Sequence, residues 1–423
     1  MKQEEIEKEL AYAYFLKNIP GVGDKSIELL WNQYCSYEKV CLDIIDYVAY
    51  KKKTTQNTML CKQITNDNIG KNNDINRIYS RIYHFLNETQ IDVMYTSILS
   101  RFQELKKQNI TCYAKGVDGY PVLLEHIPDA PSMIFVKGGL PDRTRPIVAI
   151  VGARNCSQYG SLMARTLGEK LAKANIGVVS GLARGIDGIS QHATLQAGGA
   201  TFGVLGCGPD LCYPEENYEL YNALAGGING SGIISEFLPG TKAQSNHFPM
   251  RNRIISGLSD AVVVIEAKEK SGTFITVNQA LEQGKSVYAL PGRVCDGLSY
   301  GCNRLINQGA GILWDIDEFI DEVYYEKQMT QNIELCKPHN QDHKNTEDKQ
   351  LSLKDLIIEK RSMKLSEIQK QIFQCLDLNY ESLDMVLCKL NITITIQELL
   401  SQLSELENME LIESENGYYR IKS

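Results

Sequence analysis

Long apolar runs are missing from this 423-residue chain. No stretch approaches the roughly 20 residues that a bilayer span needs, which excludes a membrane partner held by a spanning helix. Met1 to Leu10 is dense in charge, so the expectation is that no signal peptide begins the chain and that the protein stays in the cytoplasm. Paired cysteines are missing too. The chain has 12 cysteines, but none stands at CxxC spacing, and the nearest pairs, Cys207/Cys212 and Cys35/Cys41, have no histidine at ligand spacing. That argues against a zinc site or a disulfide framework and leaves reduced thiols used as small apolar residues. No metal and no cofactor are expected. A positive balance is also absent: the net charge is -8, so any anion site must be assembled locally from a few arginines and backbone N–H groups.

What is present is apolar content of 43%, in a chain long enough for two or three domains. The expected division is a helical segment over 1–110, an α/β domain over 111–325, a linker over 326–360 and a small domain over 361–423. In residues 1–50, Leu10, Tyr14, Leu16 and Ile27, Leu30, Trp31 form apolar helical rows, broken at Ile19-Pro20-Gly21-Val22-Gly23. Residues 51–74 are rich in Lys, Thr and Asn and read as a low-complexity, mobile insertion. Helices resume from Ile78 to Gln108, and Tyr120 to Gly139 reads as a short extended approach to the core.

From Ile147 the pattern changes. Ile147–Val151, Ile176–Ser180, Ala200–Leu205, Gly232–Ser235, Ala261–Ile265 and Ser286–Leu290 are short apolar runs, most of them separated by helix-length segments. That alternation predicts a parallel sheet covered on both faces, with Ala310–Leu313 as an added edge strand. After a polar linker, Ser366–Leu376, Ser382–Leu390 and Thr395–Glu407 read as amphipathic helices. Leu411–Ile421 reads as a hairpin turning at Asn416-Gly417, the outline of a winged helix-turn-helix.

In an open parallel sheet, ligands sit beyond the carboxyl ends of the strands. Four such ends carry glycines at helix starts: Gly152-Ala153-Arg154-Asn155, Gly181-Leu182-Ala183-Arg184-Gly185, Gly206-Cys207-Gly208 and Lys270-Ser271-Gly272-Thr273. Exposed N–H groups and the helix dipole there favour an anion. A dinucleotide is disfavoured: G-x-G-x-x-G is absent after the first strand, and Ser180-Gly181 stands where a ribose-binding carboxylate belongs. Pro249 suits a first helical position and places Arg251 and Arg253 in a first turn, against the dipole. A bound anion or a buried carboxylate would offset that cost. Phe248 either offers its ring to a base or belongs to the core.

Together these segments resemble the bacterial DNA-processing family DprA, also called Smf. The resemblance is carried by VAIVGARN (Val148–Asn155), SGLARGIDGISQHATL (Ser180–Leu195), Gly203–Pro214, SEF (Ser235–Phe237), FPMRNRIISGLS (Phe248–Ser259), SGTFIT (Ser271–Thr276), ALPG (Ala289–Gly292) and GCNRLINQGA (Gly301–Ala310). More weakly, IPGVGDKS (Ile19–Ser26) is similar to the family's SAM-like helical segment, Tyr120–Gly138 to its pre-core region and Ser366–Ile421 to its winged-helix domain. The resemblance implies an extended Rossmann-like core that binds single-stranded DNA, shields it, and helps load the recombinase RecA during natural transformation. It implies a homodimer through that core and no catalysis.

Carried over by position, the family's phosphate grip falls on Gly152, Ala153 and Arg154, with alanine replacing the usual serine. Its basic, aromatic helix start falls on Phe248, Arg251, Asn252 and Arg253. Where some members carry a lysine before that phenylalanine, this chain has Gln244-Ser245-Asn246-His247, with Lys242 further back. The expected DNA-binding set is completed by Gly181, Arg184, Gly185, Ser271, Gly272 and Thr273.

Two rivals remain. A nucleotide phosphoribohydrolase shares a similar core, but its P-G-G-x-G-T-x-x-E pattern would need a glutamate where Thr276 stands. Alternatively the appended domains do the DNA work, through Gly21-Val22-Gly23 as a helix–hairpin–helix turn or through the tail. Thr395–Glu407, with Glu398, Glu405, Glu407 and no Lys or Arg, argues for protein contact instead. His192, near Asp187, is expected to cap or pack its helix, since no GxSxG elbow accompanies it.

Overall fold

A computed structural model describes residues 2–56, 73–88 and 91–335, with parts of 366–421. The chain divides into two compact units, Met1–Lys337 and Pro338–Ser423.

The first unit opens with five helices: α1 (Gln3–Lys17), α2 (Asp24–Tyr34), α3 (Tyr37–Gln56), α4 (Asn73–Glu88) and α5 (Ile91–Lys107). The break between α1 and α2 falls at the expected glycines. Gly21 takes φ +80°, a conformation that disfavours any side chain, and Gly23 caps α2. The start of the expected insertion continues α3 to Gln56, its last two residues, Asn73 and Asp74, open α4, and 57–72 lie outside the described residues. Tyr14, Phe15, Leu16, Ile27, Leu30 and Ile44 form a core with Cys112, Met133 and Phe135, so these helices pack directly on the first two strands of the sheet.

That sheet has nine strands in the order β1-β2-β6-β5-β4-β3-β7-β8-β9. β3 (Ile147–Val151), β4 (Gly177–Ser180), β5 (Thr201–Val204), β6 (Gly232–Ser235), β7 (Ala261–Val264) and β8 (Ser286–Ala289) run parallel, with β9 (Gly311–Ile312) at the edge. Alternate residues of β3 enter opposite cores. Ile147, Ala149 and Val151 meet α10 (His247–Gly257) and α11 (Thr273–Glu282). Val148 and Ile150 meet α7 (Gln158–Lys173), α8 (Ile186–Gln196) and α13 (Ile316–Leu335). Burial on both faces explains why these strands read as continuous apolar runs.

Two expectations change. Tyr120–Gly139 is not merely an extended approach: it contains α6 (Val122–Glu125) and β2 (Met133–Gly138), which joins the sheet antiparallel to β6. Ahead of it, β1 (Thr111–Ala114) pairs antiparallel with β2, so the sheet is mixed at this end. Both gain a covered face from the N-terminal helices, a non-local contact that strand patterning does not reveal. The remaining helices of this unit are α9 (Tyr218–Ala225) and α12 (Tyr300–Asn307).

In the second unit, α14 (Ile396–Asn408) buries Leu399, Leu403 and Leu406 and leaves Glu398, Glu405 and Glu407 exposed. The expected hairpin is present as β11 (Ile412–Glu415) and β12 (Tyr418–Ile421), with β10 (Glu381–Ser382) on the other side of β12. The expected linker over 326–360 begins too early, since residues 326–335 are the last turns of α13; the rest of it, and most residues of the two helices expected over Ser366–Leu376 and Ser382–Leu390, lie outside the described residues.

Candidate nucleic-acid interface

From β3 the chain steps outward through β4, β5 and β6, then returns through α10 to place β7 on the other side of β3. The switch point therefore lies between β3 and β7, where open α/β sheets form a crevice. A cleft of about 710 Å3 opens there. It is lined by Gly152, Ala153 and Arg154 after β3, by Ser271, Gly272 and Thr273 before α11, and by Phe248, Arg251 and Asn252 of α10. Nine of the expected residues thus come together. Gly181 and Arg184 line an adjoining cleft of about 320 Å3, which also has Arg154, Phe248 and Arg251 in its wall. Gly185 and Arg253 line neither of these two clefts.

Arg154 is exposed, and its guanidinium carbon lies 5.5 Å from the centre of the Phe248 ring. Such a cation over an aromatic face is attracted to it and held in place. The Phe248 ring is half-buried. One edge fits against Gly206, where a Cβ would come within 3.0 Å of it, and the Tyr213 ring lies 5.3 Å away at 35°. Phe248 is therefore both packed and part of the cleft wall.

α10 begins at His247, ahead of the expected start at Pro249. His247 fixes that start: its Nδ1–H donates to the Gly206 carbonyl at 3.1 Å and its ring stacks on Phe237 at 4.1 Å. Arg251 and Arg253 consequently fall in the second turn, beyond the strongest part of the helix dipole.

Their charges are met by the protein itself. Arg251 is 4% exposed and donates to the carbonyls of Gly181, at 2.8 Å, and Val204, and to Asn252 Oδ1 at 3.1 Å. Burial pulls its guanidinium down to about 10, against the opposing pull of Asp187, so it remains charged at neutral pH. Asp187 accepts the Gly181 N–H at 3.1 Å; burial raises its carboxyl above the ordinary range although Arg251 opposes the shift. Arg253 turns away from the cleft. It pairs with Glu236 through two bonds of 2.8 and 2.6 Å and donates to the Asp129 and Met250 carbonyls.

The glycine loops hold one another. Gly185 sits at φ +73°, and a Cβ there would lie 2.3 Å from the Ala153 carbonyl oxygen. A Cβ on Gly152 would strike Ile186 at 2.7 Å, and one on Gly181 would strike Arg251. Their role in the structure is close approach of backbone to backbone and side chain. Gly272 is different: open space surrounds its Cβ position at the N-cap of α11. His192, expected to cap or pack, is instead exposed in a separate pocket with Gly185 and Arg165.

The lining also holds residues outside the expected DNA-binding set: Asn155 and Lys270, which belong to two of the expected glycine loops, and Lys268 and Tyr213, which the sequence reading did not single out; both lysines are exposed. They put cationic charge on the cleft where the lysine ahead of Phe248 is missing. The lysines stand in the same post-strand loop as Ser271, and a search of strand ends for cations as well as glycines finds them. Tyr213 arrives from the loop after β5, and no local pattern marks it. Among the lining residues of the large cleft, Asp187 is the one carboxylate, and Thr276 is buried where the phosphoribohydrolase pattern would need its glutamate.

The profile of the family "DNA recombination-mediator protein A" matches residues 111–324. The chain is 39% identical over 238 residues to DNA processing protein DprA of Bacillus subtilis, covering 56% of this chain and 79% of that protein. It is 43% identical over 196 residues to DNA processing protein DprA of Streptococcus pneumoniae, covering 46% and 68%. Among solved structures it is similar to DNA processing protein A from Helicobacter pylori, described for that protein's single-stranded DNA binding mode. There the identity is 28% and the TM-score 0.46, over 51% of this chain and 96% of that one.

Proposed function

The chain belongs to the DNA recombination-mediator protein A family, and from that premise we propose that its switch-point cleft grips single-stranded DNA and catalyses no reaction on it. The carrying observation is Arg154 held over the Phe248 ring in a cleft that also takes in the N-terminus of α11 at Gly272 and Thr273. Cations and backbone N–H groups hold phosphates without reading sequence, and aromatic faces accept any base. The proposed DNA-binding set is Gly152, Ala153, Arg154, Gly181, Arg184, Phe248, Arg251, Asn252, Ser271, Gly272 and Thr273, extended by Lys268 and Lys270. Arg251 acts from the floor as a fixed charge. Gly185 and Arg253 support the site from outside it.

On this reading the protein works in the cytoplasm, protects single strands and helps load RecA during natural transformation. It acts as a homodimer through the Rossmann-like domain at 111–325. The tail at 361–423 is a winged-helix domain whose acidic α14 suits protein contact better than duplex reading. Phosphoribohydrolase activity is the alternative, disfavoured by Thr276 and by the tie of Asp187 to the Gly181 N–H.

Arg154→Ala is the direct test. Removing a charge-assisted contact should weaken binding to oligo-dT by about 10- to 100-fold, with an unchanged melting temperature because the side chain is exposed. Unchanged affinity would refute the site. Release of free base from a nucleoside monophosphate, lost in the same variant, would establish the enzyme instead.

A further inference from the structure

Beyond the Phe248 ring, the 320 Å3 cleft shares its wall with the larger one, since Arg154, Tyr213, Phe248 and Arg251 line both. The two clefts are neighbours along one surface. The larger has its own cations in Lys268 and Lys270, and the smaller has Arg184.

Tyr213 stands where the clefts meet. It is 47% exposed although its ring lies 5.3 Å from the Phe248 ring. Phe248 already carries Arg154 on its ring and Gly206 at its edge. Tyr213 has the larger exposed surface of the pair. Arg184 is tied to Glu216 at 2.8 Å, with both side chains more than half exposed. An exposed pair of this kind is weak enough to be exchanged for a phosphate.

We propose that the smaller cleft is a second nucleotide subsite, in which Tyr213 stacks a base and Arg184 leaves Glu216 to take the adjoining phosphate. The proposal rests on the single-strand reading above, which already includes Arg184, and adds Tyr213 as a base platform and Glu216 as the residue Arg184 must leave. Glu216 is then an internal competitor for the DNA. A strand that occupies both clefts passes over the Tyr213–Phe248 pair, with bases accepted by stacking and without sequence preference.

The test uses the full chain and fluorescence anisotropy with labelled oligo-dT, beside a strand of equal length and charge whose sugars carry no bases. Tyr213→Ala should weaken oligo-dT binding by about 5- to 100-fold and the abasic strand by less than about twofold, the loss of a stacked base alone. Tyr213→Phe should restore wild-type affinity. Glu216→Gln should tighten oligo-dT binding by up to about fivefold.

Equal losses on both strands, or no loss on either, overturn the subsite. Should Tyr213→Ala melt early, Tyr213→Leu, which keeps apolar bulk without a π-face, carries the same comparison. Failure of the unmodified chain to bind either strand overturns the single-strand reading itself, an outcome distinct from a Tyr213 variant that behaves like wild type.

Discussion

Arg251 and Arg253 stand two residues apart on α10 and serve different ends. Arg251 points to the cleft floor and braces the loop at Gly181, whereas Arg253 fills a site behind the helix opposite Glu236, which is 2% exposed. Removing one member of a buried ion pair leaves the other charge without compensation. Arg253→Ala should therefore lower the unfolding free energy by about 3–5 kcal/mol, read from urea denaturation. The folded fraction should keep its oligo-dT affinity. Unaltered stability, or a selective loss of affinity, would place Arg253 in the site after all. The motif FPMRNR announces two arginines, but their directions depend on Glu236, Asp129, Gly181 and Val204, all distant in the chain. Arg154 was easier to read, because a post-strand loop at the sheet's carboxyl rim has one direction open to it.

At the scale of elements, the parallel strands were legible because burial on both faces makes most of them short apolar runs rich in Val and Ile. β1 and β2 were not, since the residues that cover them, among them Tyr14, Phe15 and Leu16 of α1, stand about 100 residues earlier in the chain. The joint between those helices and the sheet turns on Asp24, in the first turn of α2. Its carboxylate takes Lys17 Nζ at 2.5 Å, the Ser132 N–H at 3.0 Å and the Ser132 hydroxyl. Burial by itself would raise the Asp24 carboxyl, but Lys17 and Ser132 together outweigh it and hold the net value below the ordinary 3.8. A lowered folded-state value contributes stability that is present above 3.8 and lost as pH falls through the folded value. Asp24→Asn should thus cost about 1–3 kcal/mol at pH 7, and the gap from wild type should close in strongly acid solution. Urea midpoints measured at both pH values check this, and a gap that widens in acid would contradict the assignment.

For the whole molecule, the net charge of -8 means that long-range attraction does not bring DNA to the cleft. Affinity must come from cations concentrated at one rim, where exposed Arg154, Lys268 and Lys270 line a single cleft. Each phosphate neutralised on a single strand releases counterions and adds roughly -0.7 to the slope of log K against log salt. Three exposed cations predict a slope of about -2 or steeper for oligo-dT. Changing both lysines to Gln should flatten the slope by about 1.4 while the melting temperature stays put, because both side chains are solvated. A duplex of equal length should bind more weakly in the same titration, since stacking on Phe248 or Tyr213 requires unpaired bases. If the double lysine variant keeps the wild-type slope, phosphates do not follow this rim, and the anion contacts belong to another face of the molecule.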